Sequence, residues 1–235
     1  PTIEVHTATE LHELNFQPTY IVDKLIPEHS LTLLAGKPSS GKSWLALYFG
    51  LCIANGEKVF GKFDTKQTKV FYLDLETSYE LFSLRIKALG MKSDNFIYIQ
   101  VKDYESLKNE IRKIIERNPN CVIIIDSLSQ LLRGDENKAQ TITKFFQEFL
   151  APLKGKATFI IIHHTRKPQP NVKDKDPMHE IRGSSAIAGM VDLIYLLREM
   201  EGTLQGQIEG GGYRRIIRLL NRKHRYLPEL TPIDF

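Results

Sequence analysis

Residues 36–43 read Gly36-Lys37-Pro38-Ser39-Ser40-Gly41-Lys42-Ser43, which satisfies the phosphate-loop pattern G-x-x-x-x-G-K-[ST]. An apolar run at 31–35 precedes this loop, and a stretch at 44–54 that is apolar nearly all round follows it. The glycines let the backbone curl so that its N–H groups point at phosphate, and the N-terminus of the next helix adds its dipole. A chance glycine-rich turn would not explain this order of strand, loop and helix, so the sequence predicts a nucleotide site in a parallel α/β fold.

The loop residues divide the work of holding a nucleotide. Lys42 is expected to neutralise the β and γ phosphates, and the Ser43 hydroxyl is expected to ligate Mg²⁺. The predicted ATP-binding set of the loop is Gly36, Lys37, Pro38, Ser39, Ser40, Gly41, Lys42, Ser43 and Trp44.

A nucleotide loop needs an acidic partner for its metal, and residues 122–126, V-I-I-I-D, supply one. An apolar strand that ends in a carboxylate is the Walker B arrangement, which predicts that Asp126 holds the Mg²⁺ opposite Ser43. The alternative is that Asp126 caps the segment that begins at Ser127.

The composition is that of an ordinary folded protein with one domain. The chain has 235 residues, of which 42% are hydrophobic and 26% charged, with 11 prolines, and this excludes disordered and collagen-like classes. No apolar run reaches the roughly 20 residues that cross a bilayer. The N-terminus lacks the layout of a signal peptide, which predicts a cytoplasmic protein that does not span a membrane. A net charge of +4 is too slight to demand nucleic acid, and 2 cysteines exclude a disulfide framework.

Short apolar runs alternate with helix-period stretches, which predicts a mostly parallel twisted sheet flanked by helices. The predicted strands are 31–35, 69–75, 96–100, 121–126, 158–163, 191–197 and 215–220. A run of three glycines at 210–212, between 204–208 and 213–220, predicts a C-terminal antiparallel hairpin that finishes the sheet.

Three stretches repeat apolar residues at helical spacing, and their apolar stripes are expected to lie on the sheet. The stripes are Leu81, Leu84, Ala88 and Leu89; Leu107, Ile111, Ile114 and Ile115; and Ile142, Phe145, Phe146, Phe149, Leu150 and Leu153. We expect a single domain over 1–235, with an N-terminal arm at 1–15. The prolines and charges of 165–181 predict a mobile surface loop.

Hydrolysis requires a general base within reach of an attacking water. Glu76 follows the second predicted strand, and reactive groups of parallel sheets gather at the carboxyl ends of strands. Glu76, Asp126 and His164 are therefore expected to meet Lys42 at one edge of the sheet. The alternative for Glu76 is a first-turn acid that stabilises the next helix.

Five stretches together carry a family resemblance: G-K-P-S-S-G-K-S, F-Y-L-D-L-E-T-S, V-I-I-I-D-S, I-I-I-H-H-T-R-K and E-I-R-G-S-S-A-I-A-G-M-V-D-L-I-Y-L-L-R. This combination resembles the RecA-like P-loop ATPases, with the greatest likeness to RepA-type plasmid helicases and the motor domain of DnaB-type replicative helicases. The resemblance covers roughly 16–226. It implies a RecA-like fold and hydrolysis of ATP with Mg²⁺.

The resemblance also implies roles for single residues. Glu76 matches the glutamate that polarises water, Arg85 an arginine that packs on adenine, and His164 a sensor of the γ-phosphate. Three further cations match fingers that reach a neighbouring subunit's nucleotide: Arg182, Lys223 and Arg225. The alternative for these three is a solvated basic surface.

Single-stranded DNA is the partner that the resemblance implies, bound by loops after the Walker B strand and around 166–178. The candidate phosphate contacts are Arg133, Lys138, Arg166, Lys167, Lys173 and Lys175. Neighbouring acidic residues dilute this positive charge, so solvated loops are the alternative.

We therefore expect a homo-oligomeric ATPase, a hexameric ring that acts as a DNA helicase or translocase in replication or repair. The alternative is an ATP-dependent assembly switch or recombination mediator that does not separate strands. A small-molecule kinase would leave Arg182 and the C-terminal basic residues without a role.

Overall fold

A computed structural model of the chain describes residues 4–128, 143–165, 184–200, 207–208, 212–213, 217–226 and 232–235. The α-helices are α1 (Ala8–Glu13), α2 (Lys42–Asn55), α3 (Tyr79–Leu89), α4 (Tyr104–Arg117) and α5 (Ser184–Met190). The strands are β1 (Tyr20–Val22), β2 (Ile26–Pro27), β3 (Leu31–Gly36), β4 (Val70–Asp74), β5 (Phe96–Gln100), β6 (Val122–Asp126), β7 (Thr158–His164), β8 (Leu193–Glu199), β9 (Gln207–Ile208), β10 (Gly212–Tyr213), β11 (Ile217–His224) and β12 (Ile233–Asp234).

The main sheet has eight strands in the order β12-β11-β8-β3-β7-β6-β4-β5. The six strands from β8 to β5 pair in parallel, whereas β11 runs antiparallel to β8 and β12 antiparallel to β11. Strands β9 and β10 form a separate antiparallel pair. The predicted mostly parallel sheet with a C-terminal antiparallel hairpin is therefore confirmed.

Both faces of the sheet are covered. Side chains of β6 alternate between two buried clusters: Ile123 and Ile125 pack with residues of α4, and Val122 and Ile124 pack with residues of α2. Every residue of β6 is buried, as expected for a strand between two layers of helices. Helix α2 contributes ten buried residues, which agrees with the apolar character of nearly all of 44–54.

Helix α3 differs from its prediction. The predicted stripe leaves Leu81 49% and Leu84 59% exposed, while the buried residue is Phe82 at 2%. The ring of Phe82 packs between those of Tyr72 and Tyr98, with centroid distances of 4.8 Å and 4.2 Å. Large aromatic rings gain more from burial than leucines do, and this cluster sets which side of α3 faces the sheet.

The stretch predicted as a helix around 142–153 is irregular. Residues Phe145–Leu150 form a π-helical segment and Ala151–Leu153 a 3₁₀ turn, before Gly155 at a φ of +86°. The predicted apolar face is nevertheless correct among the described residues, since Phe145, Phe146 and Phe149 are buried.

Residues 4–17 are exposed, and α1 buries no side chain. A capping box between Thr7 and Glu10 holds the first turn of α1. Within the described ranges, no helix is long and apolar enough to cross a membrane. Cys52 and Cys121 are buried free thiols.

Candidate functional site

Four parallel strands present their C-terminal ends at one edge of the sheet, which we call the carboxyl rim: Gly36, Asp74, Asp126 and His164. The strand register pairs Gly36 of β3 with His164 of β7, and Asp74 of β4 with Asp126 of β6. Parallel pairing therefore brings the phosphate loop, the predicted metal ligand and the predicted sensor to the same edge.

The loop after β3 requires its glycines. Gly41, the residue directly before α2, has a φ of +87°, and a Cβ on Gly36 would lie 2.6 Å from Ser40 Oγ. No side chain caps the N-terminus of α2, and Ser40 Oγ is buried without a hydrogen-bond partner. An oxyanion placed here would meet an uncapped helix dipole and an unpaired hydroxyl, so the loop fits a phosphate group.

Lys42 lies within this cradle and is only 4% exposed. Its Nζ donates a hydrogen bond to the carbonyl oxygen of Lys37 at 2.6 Å. Burial lowers the pKa of Lys42 to about 8, although the carboxylates of Asp126 and Glu76 raise it. The ammonium group is thus charged at neutral pH, but it loses its proton at a lower pH than the ammonium group of an exposed lysine does.

Ser43 and Asp126 meet at the start of α2. Asp126 is 2% exposed, accepts a hydrogen bond from Tyr72 Oη at 2.7 Å, and also bonds with the Ser43 side chain. Burial raises the pKa of Asp126, and the bonds from Tyr72 and Ser43 lower it.

The oxygen atoms of Ser43 and Asp126 are the hard ligands that Mg²⁺ prefers. Among the residues that the structure describes, no three His, Cys, Asp or Glu side chains group into a metal site. An Mg²⁺ held by this pair would complete its shell with phosphate and water oxygens, which is its usual coordination in nucleotide sites.

Glu76 lies two residues beyond the end of β4, with its carboxylate over the end of β6. Its Oε1 accepts a hydrogen bond from Ser127 Oγ, and His164 Nε2 lies 3.7 Å from the same oxygen. The close approach of His164 is the largest cause of a lowered pKa for Glu76, while burial opposes this shift and Ser127 and Lys42 add to it. Glu76 is therefore ionised at neutral pH beside Lys42.

Two hydroxyl residues at this rim were missing from the predicted set. Ser127, which contacts Glu76, directly follows Asp126, and Thr165 directly follows His164. The N–H of Thr165 donates to the carbonyl of Gly36 at 3.1 Å, and its Oγ1 is buried without a partner. Their only sequence signal is that each follows a strand-end residue of the motif.

His164 and Arg85 each present an unpaired nitrogen. His164 Nδ1 and Arg85 Nη1 are buried without hydrogen-bond partners. Burial raises the pKa values of Asp74 and Tyr98, and the charge of Arg85 opposes both shifts, so its guanidinium lies near these two residues. Packing of Arg85 on adenine stays a prediction. Trp44, in the first turn of α2, is 42% exposed.

Lys223 and Arg225 lie at the opposite edge of the sheet, which we call the amino rim: Leu31, Asp192, Lys223 and Arg225. Lys223 Nζ donates to the carbonyl oxygens of Ala188 and of Val191, the latter at 2.7 Å. Arg225 donates to Gly189 O at 2.9 Å and to Asp192 Oδ1 at 3.2 Å. Both side chains donate to carbonyl oxygens at or just after the C-terminal end of α5. They therefore lie away from the phosphate loop of the same subunit. Their role at a neighbouring subunit's nucleotide stays a prediction.

The other predicted positions lie outside the described residues. These are Arg182, the loop over 166–181, and the candidate DNA contacts Arg133, Lys138, Arg166, Lys167, Lys173 and Lys175.

Comparison with known proteins agrees with this geometry. The DNA repair protein RadA of Chlamydia muridarum (strain MoPn / Nigg) is 30% identical over 143 residues, which are 58% of this chain and 28% of that protein. The chain thus spans less than a third of the relative's length. A family model described as an AAA domain matches residues 6–170, a range that includes the phosphate loop, Glu76, Asp126 and His164. The chain therefore belongs to this AAA-domain family of RecA-like P-loop ATPases.

Proposed function

We propose that the protein hydrolyses Mg-ATP as an oligomeric RecA-like motor, a ring-shaped helicase or translocase that works on single-stranded DNA in the cytoplasm. The observation that carries the proposal is the placement of Glu76. Its ionised carboxylate contacts Ser127 and His164 and interacts with Lys42, whose charge also interacts with Asp126. A base beside a phosphate cradle supports hydrolysis over nucleotide binding alone.

Each residue has a distinct part in the proposed reaction. Lys42 neutralises the outer phosphates, and the N–H groups at the start of α2 stabilise their oxygens. Ser43 and Asp126 would hold an Mg²⁺, which would supply charge neutralisation at the transferring phosphoryl group. Glu76 orients the attacking water and accepts its proton, while His164, beside Glu76 and Gly36, responds to the outer phosphate.

The proposals of a DNA partner and of a ring-shaped oligomer are supported by other observations. The relative with 30% identity is named a DNA repair protein, which supports a task on DNA. The resemblance to RepA-type and DnaB-type motors supports a hexamer in which Arg182, Lys223 and Arg225 act on the neighbouring subunit's nucleotide. A cation delivered in trans would make hydrolysis depend on assembly.

The test is ATP turnover measured across protein concentration, with and without single-stranded DNA. The motor is supported if turnover per subunit rises several-fold with DNA and falls on dilution below the assembly concentration. Turnover that is indifferent to both would refute it. The control variant is K42A, which removes the cradle's cation and separates this activity from a contaminating ATPase.

A second candidate is an ATP-dependent assembly switch or recombination mediator with no unwinding activity. The observation that favours it is the name of the matched relative, which specifies DNA repair and no strand separation. A strand-displacement assay on a forked duplex distinguishes the switch from the helicase. DNA-stimulated turnover with no displaced strand supports the switch, and displacement that requires ATP and Lys42 supports the helicase.

A further inference from the structure

The turn that carries Glu76 is held by a side chain for which the proposed reaction has no role. Asp74, the last residue of β4, is fully buried. Its Oδ1 accepts hydrogen bonds from the backbone N–H groups of Glu76 at 2.8 Å and of Thr77 at 2.9 Å. A single carboxylate oxygen thus fixes the two peptide groups on which the orientation of the Glu76 side chain depends.

The opposite side of the same turn is held from β5. The carbonyl oxygen of Thr77 accepts hydrogen bonds from Tyr98 Oη at 3.1 Å and Gln100 Nε2 at 3.2 Å. Tyr98 Oη also lies 3.4 Å from Asp74 Oδ2. The turn is therefore fixed through both its N–H groups and a carbonyl, and Asp74 contacts two of the three groups involved.

The two hydrogen bonds to the turn do not by themselves require a charged group at this buried position. Asp74 is the register partner of Asp126, and Glu76 is adjacent, so three carboxyl groups lie close together. Burial raises the pKa of Asp74, the Glu76 and Thr77 N–H groups and Arg85 lower it, and the charge of Glu76 raises it further. An asparagine could accept the same two bonds through Oδ1 without another buried charge, but charge-assisted hydrogen bonds are roughly twice as strong as neutral ones.

We propose that Asp74 is a positioning residue for hydrolysis: through the Glu76 and Thr77 N–H groups it holds the Glu76 carboxylate against Ser127 and His164. This inference rests on the proposed ATPase function and deepens it. The hydrogen bonds of Asp74 go to the turn, whereas that of Lys42 goes to Lys37, so the main effect of Asp74 is on turnover, with a smaller effect on ATP affinity through the neighbouring charges of Asp126 and Arg85.

The experiment compares D74A with D74N in the assembled, DNA-stimulated protein. D74A removes the acceptor, and we expect kcat to fall about 100-fold, because a displacement of about 1 Å has this effect on a catalytic group. The dissociation constant for ATP should change less than about threefold. D74N keeps Oδ1 and should lose only about threefold in kcat, since its bonds are weaker. Equal losses in both variants, an unchanged kcat in D74A, or parallel losses of kcat and ATP affinity would each overturn the proposal.

A second readout does not depend on activity. Amide hydrogen exchange at Glu76 and Thr77, followed by NMR, should be about tenfold faster in D74A than in D74N. Protection that survives in D74A overturns the proposal while the ATPase function stands. A wild-type protein that never turns over ATP refutes the proposed function instead, and the exchange rates still report whether Asp74 holds the turn.

If D74A does not fold, the opposite side of the turn supplies the variants. Y98F keeps the ring that packs on Phe82 and removes the hydroxyl, and Q100A alters an exposed residue. The double variant should lower kcat several-fold with ATP affinity unchanged, and a wild-type kcat in it would contradict the positioning mechanism.

Discussion

Two edges of one sheet bury aspartates of similar exposure in opposite ways. At the amino rim, Asp192 is 1% exposed and accepts bonds from Leu31 N at 2.9 Å, Lys154 Nζ at 2.7 Å and Arg225 Nη1 at 3.2 Å. At the carboxyl rim, Asp126 is 2% exposed and lies among other carboxylates, near hydroxyl and ring nitrogen atoms that lack partners.

The difference in hydrogen bonding indicates a different role for each edge of the sheet. Paired buried charges with satisfied hydrogen bonds stabilise the native state relative to leaving any one of them unpaired. Unpaired polar atoms such as Ser40 Oγ and Thr165 Oγ1 cost stability unless a ligand satisfies them. We infer that the amino rim serves stability and the carboxyl rim is arranged for phosphate and metal.

The largest effect should follow from E76Q at the carboxyl rim. Glutamine keeps the size of the side chain and an acceptor for Ser127 but cannot take a proton, so kcat for ATP should fall about 10²–10⁴-fold. ATP affinity should stay within a few-fold of wild type, because Lys42 and the loop are unchanged. Single-turnover hydrolysis and nucleotide titration measure the two quantities.

The control for that prediction is K42A, which should lose ATP binding together with turnover. If E76Q hydrolyses ATP at the wild-type rate, Glu76 is not the base, and its place beside Ser127 reflects helix capping or packing alone.

Much of the carboxyl rim was predictable from the sequence because the signals are local. The loop pattern at 36–43, apolar runs that end in Asp126 and His164, and the parallel rhythm together predict which residues share an edge. The bounds of β5 agree with the prediction residue for residue.

What could not be predicted depends on tertiary contacts. Ser127 and Thr165 are ordinary hydroxyl residues until the strand register places them beside Glu76 and Gly36. The buried side of α3 is set by the rings of Tyr72 and Tyr98, which come from other strands. The partners of Lys223 and Arg225 likewise require α5 to lie beside β11, since no local pattern specifies a helix end as their acceptor.

The same substitution at the two buried aspartates should have opposite effects. D192N places an amide against Lys154 and Arg225 and should lower the free energy of unfolding by about 2 kcal/mol at neutral pH. D126N removes a buried charge whose burial and repulsion by Asp74 and Glu76 outweigh its favourable contacts, and it should raise the free energy of unfolding by about 1 kcal/mol, with loss of activity. Urea denaturation followed by circular dichroism measures both.

The gain from D126N should also depend on pH in a defined direction. Burial raises the pKa of Asp126 above its unfolded value, so the ionised carboxylate weakens the fold once the pH exceeds that raised pKa. As the pH falls through it, the wild-type carboxyl becomes neutral and the advantage of D126N shrinks. Shifts of the same sign in D192N and D126N would contradict the contrast between the rims.

The smallest effect at neutral pH should appear in ATP affinity, which depends on pH through the buried cation of the carboxyl rim. Lys42 has a pKa of about 8 in the free protein, and phosphate binds its protonated form. The dissociation constant should therefore be nearly constant up to about pH 7 and rise about tenfold per pH unit above 8. Above about pH 7 the phosphate groups are almost fully ionised, because their second pKa is about 6, so they add little slope of their own there. In K42R the guanidinium stays charged, so the dissociation constant for ATP should not depend on pH, whatever the absolute affinity. K154R, which exchanges one paired cation for another at the amino rim, should keep the wild-type slope. A flat wild-type profile, or a slope in K42R equal to that of wild type, would show that the cradle does not bind phosphate through a titrating Lys42.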